Sequence, residues 1–315
     1  MRAACVPAFE TRTACDVCGG TDLSAVHELI FELTTYTTQD PELAAYSGQT
    51  LDLLRCGTCG FAQPAARPAL PRFFDRLYDQ RWSDEWIESE FQADYKDVIF
   101  RGILDTLARR LDPSRRKLLD VGAHAGRFIA LARQQGWAAE GLELNPKTAA
   151  YAARRTRATV RQLNVHEVDA ATAAFDAITV TDVLEHIPDP IGVLTRIAAL
   201  LAPGGWTAVK VPSGPGQLRK EQWRGRLVPG YRPTLADNLV HVNHFSPRSL
   251  RIALERAGFR DVVITPGAPE LPAGSGWRGA VSRSVRRGLH QAARILPGGI
   301  DLPVTLNLQA YARRP

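Results

Sequence analysis

Four of the five cysteines form two pairs of equal spacing, Cys15-x-x-Cys18 and Cys56-x-x-Cys59, each followed by glycine. Two residues between thiols let both sulfurs face one ion, and a second such pair completes a tetrahedral zinc site. Four protein ligands leave the ion no open position, so Cys15, Cys18, Cys56 and Cys59 are expected to hold a structural zinc. The 37 residues between the pairs exceed the usual ribbon spacing, which keeps a redox pair or an iron–sulfur role open as alternatives. Cys5 is expected to stay free. An odd cysteine count, together with an N-terminus that lacks a basic start and an apolar run, disfavours a secreted disulfide framework and favours the cytosol.

A second group of residues has the pattern of a ligand-binding bend. LLDVGAHAGRF (118–128) reads as a strand end, a tight turn and a helix start, with Asp120, Gly122 and Gly126 in or beside the turn. Glycine lets a ligand lie against the backbone, and the helix N-terminus that follows offers free N–H groups to a carboxylate. Glu143 stands 23 residues beyond Asp120, the distance at which an acid can accept from both hydroxyls of a ribose. The order Asp-x-Gly-x-His-x-Gly lacks the G-x-G-x-x-G that a dinucleotide pyrophosphate requires. A third group, His241 and His244 in HVNHFSP, offers neutral imidazoles as proton acceptors.

The elements that would position these groups alternate along the chain. Apolar positions Tyr95, Val98, Ile99, Ile103 and Leu107 predict a helix running from Phe91 to just before Asp112-Pro113. Strands are expected at 117–121, 138–144, 160–163, 175–180 and 206–211, with helices ending near Gln135, beginning after Pro146, and running from Pro190 to Leu201. Such repeated units need crossovers, which predicts an α/β fold with a doubly wound, mostly parallel sheet, Rossmann-like, and a small N-terminal zinc-ribbon-like module. Ser246 is expected to cap a helix that Gly258 stops, followed by a strand at 259–264. Alternating Val304, Leu306, Leu308 and Ala310 predict a last strand, at an edge or antiparallel. The expected division is 1–70 for the zinc-ribbon-like module, with the Pro/Ala stretch from Gln63 to Pro71 as its exit linker, 71–115 for linker and lead-in helices, and 116–315 for the main domain.

With 45% apolar and 23% charged residues in 315, the chain has the composition of an ordinary globular protein, and no run of eighteen apolar residues occurs. The net charge is +6, but residues 270–315 alone carry seven arginines against Glu270 and Asp301, or +5. The remainder is nearly neutral, so no nucleic-acid partner is expected.

The motifs LLDVGAHAGRF, GLELNP (141–146), TVTDVLEHIPDP (179–190), LAPGGW (201–206) and HVNHFSP (241–247), in this order, resemble the class I S-adenosylmethionine-dependent methyltransferases over roughly residues 95–265. The branch they resemble is that of the ubiquinone-biosynthesis O-methyltransferases. The resemblance implies S-adenosylmethionine as cofactor, with Asp120, Gly122 and Gly126 around its methionine end and Glu143 on the ribose. It also implies Leu144 near the adenine, Asn164 and Val165 at the adenine edge, and Asp182 and Val183 on the side facing the methyl group. His124 departs from the family pattern, which has glycine there. In the family, Glu185-His186 mostly shapes the loop over the cofactor, and His241 occupies the histidine position of a stretch that faces the active site.

Methyl transfer is an in-line displacement in which the enzyme aligns the nucleophile and removes its proton, so His241 is the expected general base and His244 the reserve. The polar insertion 212–245, with Trp223, Tyr231 and several arginines, is expected to cover a small-molecule or glycan acceptor. Residues 277–296 predict an amphipathic helix with Trp277, Val281, Val285, Leu289, Ala292 and Ile295 on one face and arginines elsewhere. That face suits either a peripheral membrane contact or packing against its own domain or a dimer mate. O-methylation of a sugar, glycolipid or natural-product hydroxyl is the expected activity. Double-CxxC modules on this fold also resemble sugar C-methyltransferases, but the chain looks shorter at its C-terminus than those enzymes, which makes C-methylation the alternative. From another class, His124 favours a non-catalytic interaction module on a degenerate fold.

Overall fold

The computed structural model describes residues 7–33, 40–78, 83–171, 174–231, 241–271, 277–301 and 305–315. Cys5 and Val304, singled out above, lie outside them.

The N-terminal part contains β1 (Phe9–Thr11), β2 (Leu23–Ile30), α1 (Pro41–Ala44), β3 (Thr50–Cys56), β4 (Ala62–Pro64), β5 (Ala66–Pro68) and α2 (Phe73–Tyr78). Strands β2, β3 and β4 form an antiparallel sheet, and β1 pairs antiparallel with β5. The Pro/Ala stretch is therefore not a linker. Gln63 is buried and donates from its amide to the Ala14 carbonyl, and Pro64 and Pro68 end their strands, where a missing donor costs little. The residues between the two cysteine pairs build a core of their own: Phe31, Leu33, Leu43 and Leu53 pack with Phe73 and Leu77 of α2. That core accounts for the long spacing between the pairs, and it reaches past residue 70.

Two lead-in helices follow, α3 (Asp84–Gln92), capped by Ser83, and α4 (Asp97–Arg110), so Phe91 belongs to the first and the helix expected to run from it begins at Asp97. Ile99, Ile103 and Leu107 are buried as the periodicity requires, whereas Val98 faces solvent and Phe100 and Leu104 complete the buried face.

The main sheet is built from β6 (Lys117–Val121), β7 (Ala138–Leu142), β8 (Val160–Arg161), β9 (Phe175–Thr181), β10 (Leu201–Pro212), β11 (Arg260–Pro266) and β12 (Asn307–Arg313). Its order is β8-β7-β6-β9-β10-β12-β11, with β8, β7, β6, β9 and β10 parallel and β12 antiparallel to both neighbours. The last strand is thus internal, and β11 takes the edge. Strand β10 begins five residues earlier than expected, with a register shift between Leu201 and Trp206.

Side chains alternate across this sheet. Leu118, Ala177 and Ala208 face one side with α4 and α5 (Arg127–Gln134); Leu119, Ile178 and Val209 face the other with α7 (Pro190–Leu200) and α9 (Pro247–Arg256). Helix α6 (Pro146–Thr156) joins β7 to β8, α8 (Gly214–Leu227) follows β10, and α10 (Trp277–Ile295) stands between β11 and β12. The insertion 212–245 is therefore not simply a loop. Ser213 caps α8 with Pro215 in its first turn, a start signal masked by three glycines and the absence of apolar periodicity. Residues 232–240 of the insertion lie outside the described set.

Candidate functional site

The chain leaves β6 toward β7 and β8 and later returns to β9 on the other side, so the switch point of the sheet lies at the carboxyl ends of β6 and β9, where such sheets bind ligands. There the bend Gly122–Gly126 is held by its backbone: the Gly122 and Ala123 amides both donate to the Leu142 carbonyl, at 2.9 and 2.8 Å. Gly122 (φ +78°) and Gly126 (φ +87°) adopt the left-handed region. A Cβ on Gly122 would come within 2.3 Å of Val183 Cγ2, which shows how closely the bend and the loop after β9 approach.

Glu143 and Leu144 directly follow β7. One Glu143 carboxylate oxygen accepts from the His124 amide at 2.8 Å and the other from the Asn145 amide at 2.9 Å. The carboxylate is thereby fixed beside the bend, and burial raises its pKa. His124 takes φ +48°, the conformation glycine would have there, and its ring stands edge-on to Trp86 of α3 with centroids 5.1 Å apart. Burial pushes the His124 imidazole down to about 4, so it is neutral. A non-glycine residue at this point is accommodated by an aromatic contact on α3 and a hydrogen bond from its backbone amide to Glu143.

Asp120 is farther from the crevice surface than expected. It is buried in β6 opposite Thr179, whose hydroxyl donates to it at 2.7 Å, and burial pushes its carboxyl up to about 8. Asn164 caps the short turn 165–167 by accepting from the His166 amide, and Val165 is buried beneath it. Asp182 (φ +56°) accepts from the ammonium groups of Lys96, at 2.8 Å, and Lys210. Burial opposes its charge, but the two cations outweigh that and hold its pKa well below the usual carboxylate range. Lys210 is itself buried and also donates to Glu270 at 3.2 Å. Lys96 and Lys210 were not anticipated, although a lone lysine inside the buried strand WTAVKV was the available signal.

The histidine segment docks on the loop after β9. The amides of Val242 and Asn243 donate to the Glu185 carbonyl, and the Asn243 side chain donates to the carbonyls of Leu184 and Ile187 at 2.9 and 2.6 Å. These bonds bring Glu185, His186 and His241 together. Glu185 Oε1 is 4.0 Å from Nε2 of both histidines, and their ring centroids are 4.7 Å apart. One ligand atom from each of the three lies within 4.8 Å of the others. Glu185 Oε2 is buried without a hydrogen-bond partner, and burial pushes the Glu185 carboxyl up to about 8, the Asp182 charge adding to the shift. Burial, reinforced by the neighbouring histidines, drives the His241 pKa far down, so its imidazole is neutral. Sequence reasoning set Glu185 and His186 aside as loop-shaping residues; the structure makes them neighbours of His241.

Gln217, which no motif indicated because it lies in the segment read as a loop, joins both histidines through one amide. Its Nε2 is 3.0 Å from His241 Nδ1, and its Oε1 is 3.0 Å from His244 Nδ1. With the amide turned over, its oxygen would accept from His241 Nδ1–H and leave Nε2 as the basic nitrogen. His244 is buried, its Nε2 has no partner, and burial pushes its pKa down to about 4.

The two cysteine knuckles have matching backbones. Gly19 and Gly60 (φ +76° and +72°) each donate back to the first cysteine carbonyl of their pair at 2.8 Å. Cys15 and Cys59 sulfurs are 3.6 Å apart and those of Cys18 and Cys56 3.5 Å, too far for disulfides and close to the edge of a tetrahedron with ~2.3 Å metal–sulfur bonds. The donor set and spacing fit zinc. This cluster leans on the histidine segment: Phe61 packs on Phe245 at 5.1 Å, Ser246 donates to the Cys59 carbonyl at 2.6 Å, and Ala62 and His244 exchange backbone bonds.

Residues 91–264, more than half of the chain, match the family model described as "Methyltransferase domain". A ubiquinone biosynthesis O-methyltransferase of Xanthomonas axonopodis pv. citri (strain 306) is 31% identical over 108 residues, 32% of this chain and 45% of that protein. One of Paracidovorax citrulli (strain AAC00-1) is 32% identical over 128 residues, 38% of this chain and 52% of that protein. The chain spans about half the length of the curated relatives it matches. Among solved structures, the plantazolicin methyltransferase BpumL in complex with SAH superposes with a TM-score of 0.50 at 12% identity, covering 76% of this chain and 93% of that one.

Proposed function

We propose that this chain, which belongs to the methyltransferase-domain family, is an S-adenosylmethionine-dependent methyltransferase that methylates a hydroxyl of a small-molecule or glycan acceptor, with His241 as general base. The observation that carries this reading is the neutral His241 held beside Glu185 and His186 by the loop after β9. S-adenosylmethionine supplies an electrophilic methyl carbon on sulfur when bound. The glycine bend would cradle its methionine end, with Asp120 behind as a support, and the Glu143 carboxylate would accept from the ribose hydroxyls. Leu144, Asn164 and Val165 would border the adenine, and Val183 and the Lys-paired Asp182 the methyl side. His241 would take the acceptor proton at Nε2, with the turned Gln217 amide holding Nδ1–H. His244 would support the other side of Gln217 and hold the reserve role.

Cys15, Cys18, Cys56 and Cys59 would hold one structural zinc, whose task is to brace the segment 241–246. Ubiquinone biosynthesis O-methyltransferases, by their names, methylate oxygen, which supports an oxygen acceptor over a carbon one. No membrane-crossing helix occurs among the described residues, and a cytoplasmic location remains part of this proposal.

A second reading rests on the same cluster. The orphaned Glu185 Oε2 and the close ligand atoms of His186 and His241 suit a divalent cation that would lower the pKa of a bound hydroxyl. The test is a screen of hydroxylated acceptors with methyl-labelled S-adenosylmethionine, reading product mass, in metal-depleted buffer and with added Mg²⁺ or Mn²⁺. The base reading expects turnover without added metal and a loss of roughly 100-fold or more in kcat for His241→Ala. Turnover that strictly requires added metal supports the cation instead, and full activity of His241→Ala defeats the base.

A further inference from the structure

Among the described residues, the apolar side chains Trp277, Val281, Val285, Leu289 and Ile295 of α10 stay exposed, so the expectation that they pack against their own domain is not met. The surface with a chemistry of its own lies elsewhere, in a cleft of about 290 Å³ where the cysteine module meets the catalytic domain. It is lined by the second cysteine knuckle, by Ser246, and by three arginines that reach it from three elements: Arg55 of β3, Arg219 of α8 and Arg248 of α9. All three arginines are exposed, and no acidic residue lines the cleft among the described residues. Asp22 stands behind Gly57, where a Cβ would come within 2.0 Å of its carboxylate, yet neither Arg55 nor Arg248 has an ion-pair partner among the described residues. Like charges brought together from separate elements repel one another unless an anion sits among them. Helices α8 and α9 also begin at the cleft, with Pro215 and Arg248 in their first turns, so the positive ends of two helices add to the arginines. Four thiolates on one zinc would place two negative charges nearby, fewer than the three guanidiniums and the two helix ends supply.

We propose that this cleft is a binding site for a phosphate monoester, held by Arg55, Arg219 and Arg248 across the junction between the module and the catalytic domain. The arrangement selects phosphate over carboxylate. A guanidinium presents a planar fork of N–H donors that matches two oxygens, and a phosphoryl group has three terminal oxygens to share among forks arriving from three elements. A carboxylate has only two, in one plane. The Thr58 hydroxyl, exposed on the same cleft, adds a further donor. The volume is near the lower end of the range for ligand pockets, so a phosphate would fill part of it and leave room for the group that carries it. Ser246 joins the cleft to the histidine segment: it follows His244 by two residues, and its hydroxyl donates to the Cys59 carbonyl. A phosphate drawn between Arg55 on the module and Arg219 and Arg248 on the catalytic domain would therefore brace the segment that carries His241. The cleft binds phosphate or fails to, whatever the acceptor and the base.

The experiment is calorimetric titration of inorganic phosphate into the full chain at constant ionic strength, with succinate as the carboxylate control. The wild type should bind about one phosphate per chain and should bind succinate at least about 10-fold more weakly. Arg55→Gln with Arg248→Gln should weaken phosphate binding at least about 10-fold. The melting temperature in phosphate-free buffer and the S-adenosylmethionine affinity should stay at wild-type values in this double variant, since both side chains are exposed. Two further measurements separate the sources of the phosphate. If the acceptor carries it, the double variant raises KM for the phosphate monoester of a hydroxylated acceptor, and inorganic phosphate competes with that acceptor. If it comes free from solution, inorganic phosphate shifts the S-adenosylmethionine affinity of the wild type and not that of the double variant. No saturable phosphate binding to the wild type, equal affinity in the double variant, or succinate bound as tightly as phosphate overturns the proposal. So does a short single-stranded RNA that binds the wild type more tightly than phosphate and loses that affinity in the double variant, since it gives the cleft to a nucleic-acid backbone.

Discussion

At the scale of single residues, the candidate site is built from groups whose pKa values burial and close charges have shifted. Asp120 illustrates the consequence. Its carboxyl, pushed up to about 8, stays protonated in the folded chain while the unfolded carboxyl ionises near its ordinary value, so its contribution to stability is present below about pH 4 and is lost as pH rises toward 8. The loss can reach about 1.4 kcal/mol per pH unit. Urea unfolding of the wild type and of Asp120→Asn between pH 5 and 8 should therefore show the wild type losing stability with rising pH relative to the variant, which keeps the Thr179 bond. A constant difference between the two would mean that Asp120 ionises normally. The place of Glu143 beside the bend was legible in the sequence because an acid at a fixed distance after a glycine bend is a local signal. The grouping of Glu185, His186 and His241 could not, because two backbone bonds from Val242 and Asn243 create it across more than fifty residues of chain. Gln217 was hidden for the same reason, an amide having no motif of its own.

At the scale of elements, the parallel strands were legible because each is a short apolar run between turn residues. The helices with capped starts, such as α9 behind Ser246, were legible as well. The errors share a physical origin. Proline and glycine were read as marks of loops, yet Pro64 and Pro68 end strands and Pro215 begins a helix, positions where proline costs no backbone bond. The last strand was expected at an edge or antiparallel; β12 is antiparallel, and its pairing with both β10 and β11 makes it internal. The bend between β6 and α5 is where an element tolerates least. Gly122→Ala would place a methyl in strained backbone and within 2.3 Å of Val183 Cγ2, so a loss of about 1–3 kcal/mol in stability is expected, with weaker cofactor binding. Thermal unfolding with and without S-adenosylmethionine checks this, and an unchanged melting temperature would show that the loop after β9 yields freely.

At the scale of the whole molecule, the cysteine module and the catalytic domain form one structure, because Cys15, Cys56, Cys59 and Phe61 share a buried cluster with Phe245, Leu250 and Leu254. Removing the metal should therefore cost activity through the segment that Cys59 and Phe61 support. Elemental analysis should return one zinc per chain; Cys18→Ser with Cys56→Ser should lose it, with a lower melting temperature and a lower kcat. Retained zinc, or full activity without it, would separate the module from the chemistry. The claim on which all of this depends is that the bend and Glu143 together grip the cofactor. Calorimetric titration of S-adenosylmethionine into the wild type and Glu143→Ala tests it most directly. The account predicts one site per chain and an affinity about 10- to 100-fold lower in the variant, the worth of hydrogen bonds to a charged group; equal affinity in the two proteins, or no binding to the wild type at millimolar ligand, would contradict it.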